Sequence, residues 1–282
     1  MRIGLNTFLY TSPFTTAKAP GLFSKYAGWG FETVEVAVED PRHVDPTKLR
    51  QIADRAGIAI GTVCAAMGPG RDFRGTAREQ KIAMDYLRAL IDQAAIIGAP
   101  KVIGPVYSVT GRADAVEPAQ QKKEWKLVVK NLQTLARHAE TKGVTVCIEP
   151  LNRFETDFLN TCDQGLALLD DVGSDAMKLL LDTFHMNIEE KDQPAAIRKV
   201  GSQIGHFHAC GSDRGTPGND HIDWPGIAKA LKSVGYKGDI VIESFTTDVK
   251  VIARAAAIWR KIEPRRDDIA IGGLTFLRKL FK

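Results

Sequence analysis

The regular alternation of short β-branched runs with longer amphipathic segments constrains the fold of this chain more than any other feature. Eight runs are predicted to be strands: RIGLNTF, TVEVAVE, IAIGTVCA, KVIGPVY, TVCIEP, KLLLDTF, IGHFHAC and IVIESF. In the segments between them, such as KIAMDYLRALIDQAAII and EWKLVVKNLQTLARHAE, apolar residues recur at the three and four spacing of an amphipathic helix. Strands that alternate with helices predict a parallel sheet covered by helices.

The number of units favours a closed barrel over an open sheet. A chain of 282 residues has the length of a single (β/α)8 barrel, and no Pro/Gly/Ser-rich linker divides it. Gly57, Gly98 and Gly143 follow helical segments, where a left-handed cap would end each helix. A doubly wound sheet is the alternative, but the GxGxxG and GxxxxGK[ST] motifs typical of it are missing. We predict one α/β domain over residues 1–282, a (β/α)8 TIM barrel, with a last helix near 265–281.

Charge and hydropathy narrow the class of partner. The chain has 38 Lys and Arg against 34 Asp and Glu, a formal net charge of +4, without a dense basic run that contains aromatic residues. This pattern predicts no nucleic-acid partner and suits a small neutral or anionic molecule. No segment approaches the ~20 uninterrupted apolar residues of a membrane span, so no membrane contact is expected.

Cysteine usage and the N-terminus indicate the compartment. The chain has four cysteines without CxxC spacing, Cys64, Cys147, Cys162 and Cys210. Their scatter predicts neither a disulfide framework nor a zinc knuckle. The segment MRIGLNTFLY lacks the apolar core and the cleavage site of a secretory signal, and we interpret it as the first strand. Together these features favour a cytoplasmic location.

The end of the sixth predicted strand carries an unexpected charge. KLLLDTFHMNIEE begins as an apolar run and turns polar at Asp182, with His185 three residues later. A lone buried carboxylate costs several kcal/mol unless a cation or hydrogen-bond donors accompany it. We therefore expect other strands to supply a partner for Asp182.

Four late strands each end in a side chain that can bind a metal, at the face where barrel enzymes build their active sites. These residues are Glu149, Asp182, His208 and Glu243. Three carboxylates and one imidazole suit Mn²⁺, Mg²⁺ or Co²⁺, with little thiolate to select zinc. Any one of these carboxylates, taken alone, could equally have a structural role in which it accepts from backbone N–H groups or pairs with an arginine. Four on successive strands favour a divalent-metal site.

The strings around these residues resemble a known family. CIEPLNRFETDFLNT, LLLDTFHMNIEE, HFHACGSDRGTPGNDHIDW and VIESF are similar to the sugar isomerase/epimerase family with the xylose-isomerase-like barrel. Within it they most resemble the ketose 3-epimerases of the D-tagatose and D-psicose (allulose) type. The similarity is dense from about residue 140 to 260 and looser before that.

The resemblance implies a role for each matching residue. The ligands of one divalent ion, most often manganese, would be Glu149, Asp182, His208 and Glu243. Glu149 and Glu243 would also be the catalytic acid/base pair on opposite faces of the sugar. Residues that hold the oxygens around C1 to C3 would be Glu155, His185 and Arg214. The resemblance also implies a free ketose as substrate, no organic cofactor, and a homodimer or homotetramer.

The chemistry of the reaction agrees with this set of residues. Loss of the proton on the carbon beside a ketone requires stabilisation of the developing enediolate, which a divalent cation supplies as a Lewis acid. One glutamate would remove the C3 proton and the other would return a proton to the opposite face, through a cis-enediolate. Alternatives are an aldose-ketose isomerase or sugar dehydratase on the same barrel, a metal-dependent endonuclease, and a non-catalytic sugar-binding protein. The endonuclease is disfavoured because two- and three-metal sites need more ligands.

The resemblance thins at the distal end of the sugar pocket. Family members often place aromatic side chains there, and this chain has Asn6 and VYSVTGR in the corresponding segments. Phe8, Tyr10 and Tyr107 are candidates for the pocket or for the core. His206, two residues before His208, is predicted to be a hydrogen-bonded core histidine one layer deeper.

Overall fold

Eight parallel strands pair in chain order and close into a barrel in the computed structural model, which describes residues 1–281. Lys282, the end of the predicted domain, lies outside the described residues. The first strand completes the ring by pairing with the last, so that Leu5 lies opposite Ile242. The predicted (β/α)8 barrel is confirmed, and the alternative of an open doubly wound sheet is wrong.

The strands and helices alternate along the chain. The strands are β1 (Ile3–Asn6), β2 (Thr33–Val38), β3 (Ala59–Ala65), β4 (Lys101–Gly104), β5 (Thr145–Ile148), β6 (Met177–Asp182), β7 (Ile204–Ala209) and β8 (Ile240–Ile242). The helices are α1 (Ala19–Trp29), α2 (Pro46–Ala56), α3 (Ala77–Ile97), α4 (Pro118–Lys142), α5 (Cys162–Val172), α6 (Thr183–Glu189), α7 (Gln193–Val200), α8 (Trp224–Ser233), α9 (Lys250–Ala255) and α10 (Arg266–Phe281). Short 3-10 turns cover Thr7–Leu9, Thr16–Lys18, Pro41–His43 and Gly201–Gln203.

The strands are shorter than the runs that predict them, and β4 and β1 show why. The run KVIGPVY is a strand only as far as Gly104, because Pro105 has no N–H to donate and the chain turns there. β1 ends at Asn6, whose side chain accepts a hydrogen bond from Phe8 N and begins a 3-10 turn. Local capping and proline chemistry therefore set the strand ends.

Helix ends follow the capping signals in the sequence. Thr76 and Glu79 form a reciprocal capping box at the start of α3. Gly57, Gly98 and Gly143 end α2, α3 and α4 with φ of 66°, 85° and 64°, the left-handed region that favours glycine. These caps turn the chain back into the next strand.

Side-chain alternation divides the apolar core into two layers. Outward residues such as Val36 in β2 and Leu181 in β6 pack under the helices in the larger cluster. Inward residues such as Ala37 and Leu180 form a smaller cluster inside the barrel. Successive side chains of a strand point to opposite faces of the sheet. A residue at a strand end therefore points into the barrel when the residue two positions before it does.

The last helix packs against the seam where the ring closes. α10 buries Ile269, Leu274 and Leu277, and it contacts β1, β8 and α8. Arg278 Nη2 donates to the carbonyl of Gly30 at 2.5 Å, which ties α10 to the end of α1. Among the helices of residues 1–281, none is both long and apolar enough to cross a membrane.

A buried ionic network holds the loops that follow β3, β4 and β5. The guanidinium of Arg74 contacts Glu124 at 2.8 Å and Asp157 at 2.5 Å, and its side chain is 1% exposed. Arg112 contacts Glu124 at 2.6 Å and Asp72 at 2.8 Å. Burial opposes ionisation, yet hydrogen bonds from Gln120 and Arg74 hold the pKa of Glu124 below its ordinary value. Arg74 likewise lowers the pKa of Asp157 against the effect of burial.

We predict that Arg74→Met lowers the free energy of unfolding by about 3 kcal/mol at pH 7, because it removes one of the two cations of buried Glu124 and the cation of half-buried Asp157. Urea denaturation followed by circular dichroism measures the change. Both carboxylates have lowered pKa values in the folded state, so their contribution is present above the unfolded pKa of about 4 and is lost as the pH falls below it. The difference between wild type and variant should therefore narrow in acid.

Arg42→Met is the matched control, because Arg42 pairs with Asp40 in solvent. It should leave the denaturation midpoint unchanged. An Arg74→Met protein as stable as the control would contradict a stabilising role for the network.

Candidate metal centre

Side-chain parity brings the ends of the last four strands together at the mouth of the barrel. In β6, Leu179 and Leu181 lie in the outer core and Leu180 in the inner one, so Asp182 points inward. In β7, Phe207 packs outward and the next residue faces the interior. The four predicted ligand residues are all buried and meet there: Glu149, Asp182, His208 and Glu243. One potential ligand atom of each lies within 4.8 Å of those of the others.

The spacing of these atoms suits a shared ion better than direct hydrogen bonds. His208 Nδ1 lies 3.6 Å from Asp182 Oδ2, 3.6 Å from Glu243 Oε2 and 3.8 Å from Glu149 Oε1. Bonds of about 2.0–2.2 Å to one ion place neighbouring ligand atoms roughly 3–4 Å apart. The four side chains therefore surround a position that a divalent cation fits.

Two atoms of the cluster have unmet bonding capacity. Glu149 Oε1 and His208 Nδ1 are buried, and neither has a hydrogen-bond partner within residues 1–281. A buried polar atom left in this state costs about 1–3 kcal/mol. A cation bound by both atoms would remove that cost, and three carboxylates with one imidazole match the preference of Mn²⁺ and similar ions.

Electrostatics inside the cluster also favour a cation. Burial, followed by repulsion from Glu243, raises the pKa of Glu149 well above its ordinary value. The pKa of Asp182 is lowered despite burial, because Arg214 lies beside it. Glu35 and Glu243 raise the pKa of His208 well above its ordinary value against the effect of burial. Ionised carboxylates this close repel one another, and a bound cation would reduce that repulsion.

The two carboxylate oxygens of Asp182 have different partners. Oδ1 accepts from Phe184 N at 2.7 Å and caps the start of α6. Oδ2 accepts from Arg214 Nη1 at 2.9 Å and faces the cluster. The charge at the end of β6 thus has the partners that its burial requires.

Arg214 and His185 lie directly against the four residues. Arg214 is buried, and its Nη1 also donates to Glu243 Oε2 at 3.0 Å. Arg214 Nη2 lies 2.9 Å from His185 Nε2, and the guanidinium stands 4.1 Å from the ring centroid of Phe184. His185 Nδ1 accepts from Asn152 N at 3.0 Å. Burial and the neighbouring Arg214 lower the pKa of His185.

Glu155, the third residue matched to substrate binding, lies farther out, on the loop after β5. Its Oε1 accepts from Asn152 Nδ2 at 2.8 Å, and Asn152 also contacts His185. The structure therefore brings His185 and Arg214 onto the cluster and connects Glu155 to it through two side chains, Asn152 and His185.

Sequence reasoning missed three residues that organise this site, Glu35, Asn152 and Ser244. Glu35 had a signal, because a lone carboxylate inside the β-branched run TVEVAVE raises the same question as Asp182. Ser244 had none. Its hydroxyl donates to the carbonyl of Arg214, which has a left-handed φ of 66° uncommon for a non-glycine residue.

The other pocket candidates lie in different places. Tyr107 is a core residue, fully buried with its ring 5.4 Å from that of Phe158. The hydroxyl of Tyr10 donates to Asp267 at 2.7 Å, away from the inner cluster. Phe8 lies in the inner cluster with Phe245, their ring centroids 6.3 Å apart, and thus borders the mouth.

Asn6 and His206 lie beneath the four residues. Asn6 is fully buried, and its Nδ2 donates to Glu243 Oε1 at 3.3 Å. Asn6, at the end of β1, therefore contacts a proposed ligand directly. His206 is a core residue as predicted, with Nε2 2.9 Å from Glu35 Oε2.

Comparisons with known proteins agree with this geometry. A family model described as xylose isomerase-like TIM barrel matches residues 23–280. A "probable ketose 3-epimerase" of Synechocystis sp. is 33% identical over 288 residues, which cover 100% of this chain and 97% of that protein. An L-ribulose 3-epimerase of Mesorhizobium japonicum is 34% identical, with 93% and 88% covered. The solved structure of an L-ribulose 3-epimerase has a TM-score of 0.93 at 29% identity, with 99% and 94% covered.

We predict that His208→Ala weakens Mn²⁺ binding more than about 100-fold. Loss of a residue that only orients a ligand typically costs about 10- to 100-fold in metal affinity, and loss of the ligand itself should cost more. Isothermal titration calorimetry on metal-stripped protein measures the dissociation constant. His138→Ala is the control, because that histidine pairs with Asp92 on the outer helices. Unchanged affinity in His208→Ala would exclude His208 as a ligand.

Proposed function

The chain belongs to the xylose isomerase-like TIM barrel family, and we propose that it is a divalent-metal-dependent ketose 3-epimerase. The observation that carries this proposal is the convergence of four buried ligand atoms, two of them from glutamates, within 4.8 Å at the barrel mouth. The relatives named as ketose and L-ribulose 3-epimerases supply the reaction class. The proposed metal ligands are Glu149, Asp182, His208 and Glu243.

Glu149 and Glu243 are proposed to move the proton. They follow β5 and β8, which are separated around the ring by β6 and β7, so the two carboxylates approach the site from different directions. When bound, a divalent ion supplies Lewis-acid stabilisation of the oxygens next to the carbon that loses its proton. One glutamate takes the C3 proton and the other donates one to the opposite face, which inverts C3.

The remaining residues are proposed to hold the sugar and the ligands. Asp182 is proposed to act only as a metal ligand: its Oδ1 accepts from Phe184 N, and its Oδ2, which accepts from Arg214, faces the cluster. Arg214 and His185 present fixed polar groups beside the cluster and are proposed to bind the oxygens around C1 to C3, with Glu155 at the rim. The interactions of His185 with Asn152 hold its ring in place.

The wall of the mouth favours a free sugar. Phe8, Phe245 and Ile258 belong to one apolar cluster beside the site. Such a surface suits the neutral end of a ketose, and an aromatic ring packs well against C–H groups. We propose a free ketohexose or ketopentose, with D-allulose among the candidates.

The proposal extends to metal identity, assembly and location. Mn²⁺ is proposed as the ion, with Mg²⁺ or Co²⁺ as substitutes, because the ligands are mainly oxygen. We propose a homodimer or homotetramer from the family resemblance. A cytoplasmic location is supported by four cysteines that are all free thiols.

Incubation of the Mn²⁺-loaded protein with D-fructose, D-psicose, D-tagatose and L-ribulose in D₂O tests the reaction class. We expect deuterium at C3 together with the C3 epimer, detected by NMR and mass spectrometry. Deuterium at C1 or C2 with an aldose product would instead identify an aldose-ketose isomerase. Absence of exchange across the panel would contradict both activities.

We predict that Glu149→Gln and Glu243→Gln each lower kcat for epimerisation by ~10²–10⁴, because an amide keeps an oxygen ligand but cannot serve as acid or base. Mn²⁺ binding is measured in parallel. Glu140→Gln is the control, since Glu140 contacts Ser174 at the far end of α4. Near wild-type turnover in either metal-loaded glutamine variant would exclude the two-base mechanism.

A further inference from the structure

A fully buried glutamate that the proposed reaction does not use lies beneath the four proposed ligands. Glu35 is in the middle of β2, between the outward-facing Val34 and Val36, so it points into the barrel. Burial of a carboxylate costs several kcal/mol even with partners, and an apolar residue of similar size is often more stabilising. The position therefore calls for a reason other than stability.

Both oxygens of Glu35 are saturated by contacts from other strands. Oε1 accepts from Asn6 Nδ2 at 2.7 Å and lies 2.9 Å from His208 Nε2. Oε2 accepts from Thr62 Oγ1 at 2.6 Å and lies 2.9 Å from His206 Nε2. The carboxylate thus joins β2 to β1, β3 and β7 across the barrel.

The contacts of Glu35 determine the orientation of the Asn6 amide and place a proton on Nε2 of His208. Phe8 N donates to Asn6 Oδ1 at 2.8 Å, which identifies that atom as the amide oxygen, because a backbone N–H can only donate. The amide nitrogen, Nδ2, is therefore the atom that faces Glu35. A carboxylate only accepts, so the His208 nitrogen that faces Glu35, Nε2, carries a hydrogen. In the neutral imidazole the lone pair is then on Nδ1, the atom that faces Asp182, Glu149 and Glu243.

We propose that Glu35 is a positioning residue that holds His208 in its Nε2–H form, with Nδ1 directed to the metal. Carboxylate partners of this kind orient metal-binding histidines in other proteins and raise their basicity. Glu35 also reaches a second proposed ligand, because Asn6 Nδ2 bonded to Glu35 lies 3.3 Å from Glu243 Oε1. The inference rests on the proposed metal site.

The direct test reads the tautomer in the wild-type protein. Protein with ¹⁵N-labelled histidine and bound Zn²⁺, a diamagnetic probe, is examined by long-range ¹H–¹⁵N correlation, with His208 assigned by the loss of its signals in His208→Gln. We expect the proton on Nε2 and the metal-induced shift on Nδ1. A proton on Nδ1 would overturn the proposal, and this readout does not depend on any variant at position 35.

Glu35→Gln then tests the consequence for binding. The amide keeps the shape but lets the group donate as well as accept, so we expect the Mn²⁺ dissociation constant to rise 10- to 100-fold by calorimetry. Thr62→Val is the matched control, because it removes one donor to Oε2 and leaves Oε1 and His208 untouched. Circular dichroism establishes that each variant is folded.

The outcomes separate the inference from the proposed function. Wild-type protein that binds Mn²⁺ while Glu35→Gln binds it equally well would overturn the role of Glu35 and leave the metal site standing. An equal loss in Glu35→Gln and Thr62→Val would indicate general packing and also overturn the role. Wild-type protein that binds no Mn²⁺ would overturn the proposed function and this inference with it.

Discussion

Like charge confined in a buried space is the constraint on which the mouth of this barrel depends. Three carboxylates and an imidazole converge within 4.8 Å, all shielded from water. Such a group is unfavourable unless positive charge and hydrogen-bond donors surround it. The structure supplies Arg214 from one side and the N–H that begins α6 from another. The strands hold the carboxylates close together, and the surrounding hydrogen-bond donors offset their mutual repulsion and their loss of hydration.

The same constraint explains why the support extends below the mouth. Glu243 is contacted by Arg214 above and by Asn6 below, and Asn6 is contacted in turn by Glu35. His208 has the cluster on its Nδ1 side and Glu35 on its Nε2 side. Glu243 is therefore held at both carboxylate oxygens and His208 at Nε2, which limits their rotation and prepares the geometry before any ligand arrives.

Much of this arrangement could be read from the sequence, and the remainder could not for a definite reason. Eight strand-like runs that alternate with amphipathic helical segments predict the barrel. The alternation of side chains within a strand then places Asp182 and His208 on its inner face. Glu35 escaped notice because its partner His208 lies 173 residues away on a strand that does not pair with β2. The local pattern shows that the buried Glu35 needs a partner, but it does not show which residue across the barrel supplies that partner.

The seam between the first and last strands has a consequence for how the protein is made. β8 pairs with β1 on one side and β7 on the other, and Glu243 follows it directly. During synthesis, β8 leaves the ribosome after the other seven strands, so that pairing forms last. A nascent chain therefore presents three of the four acidic and imidazole groups without the fourth. The complete cluster of four groups therefore forms only after β8 has joined the ring.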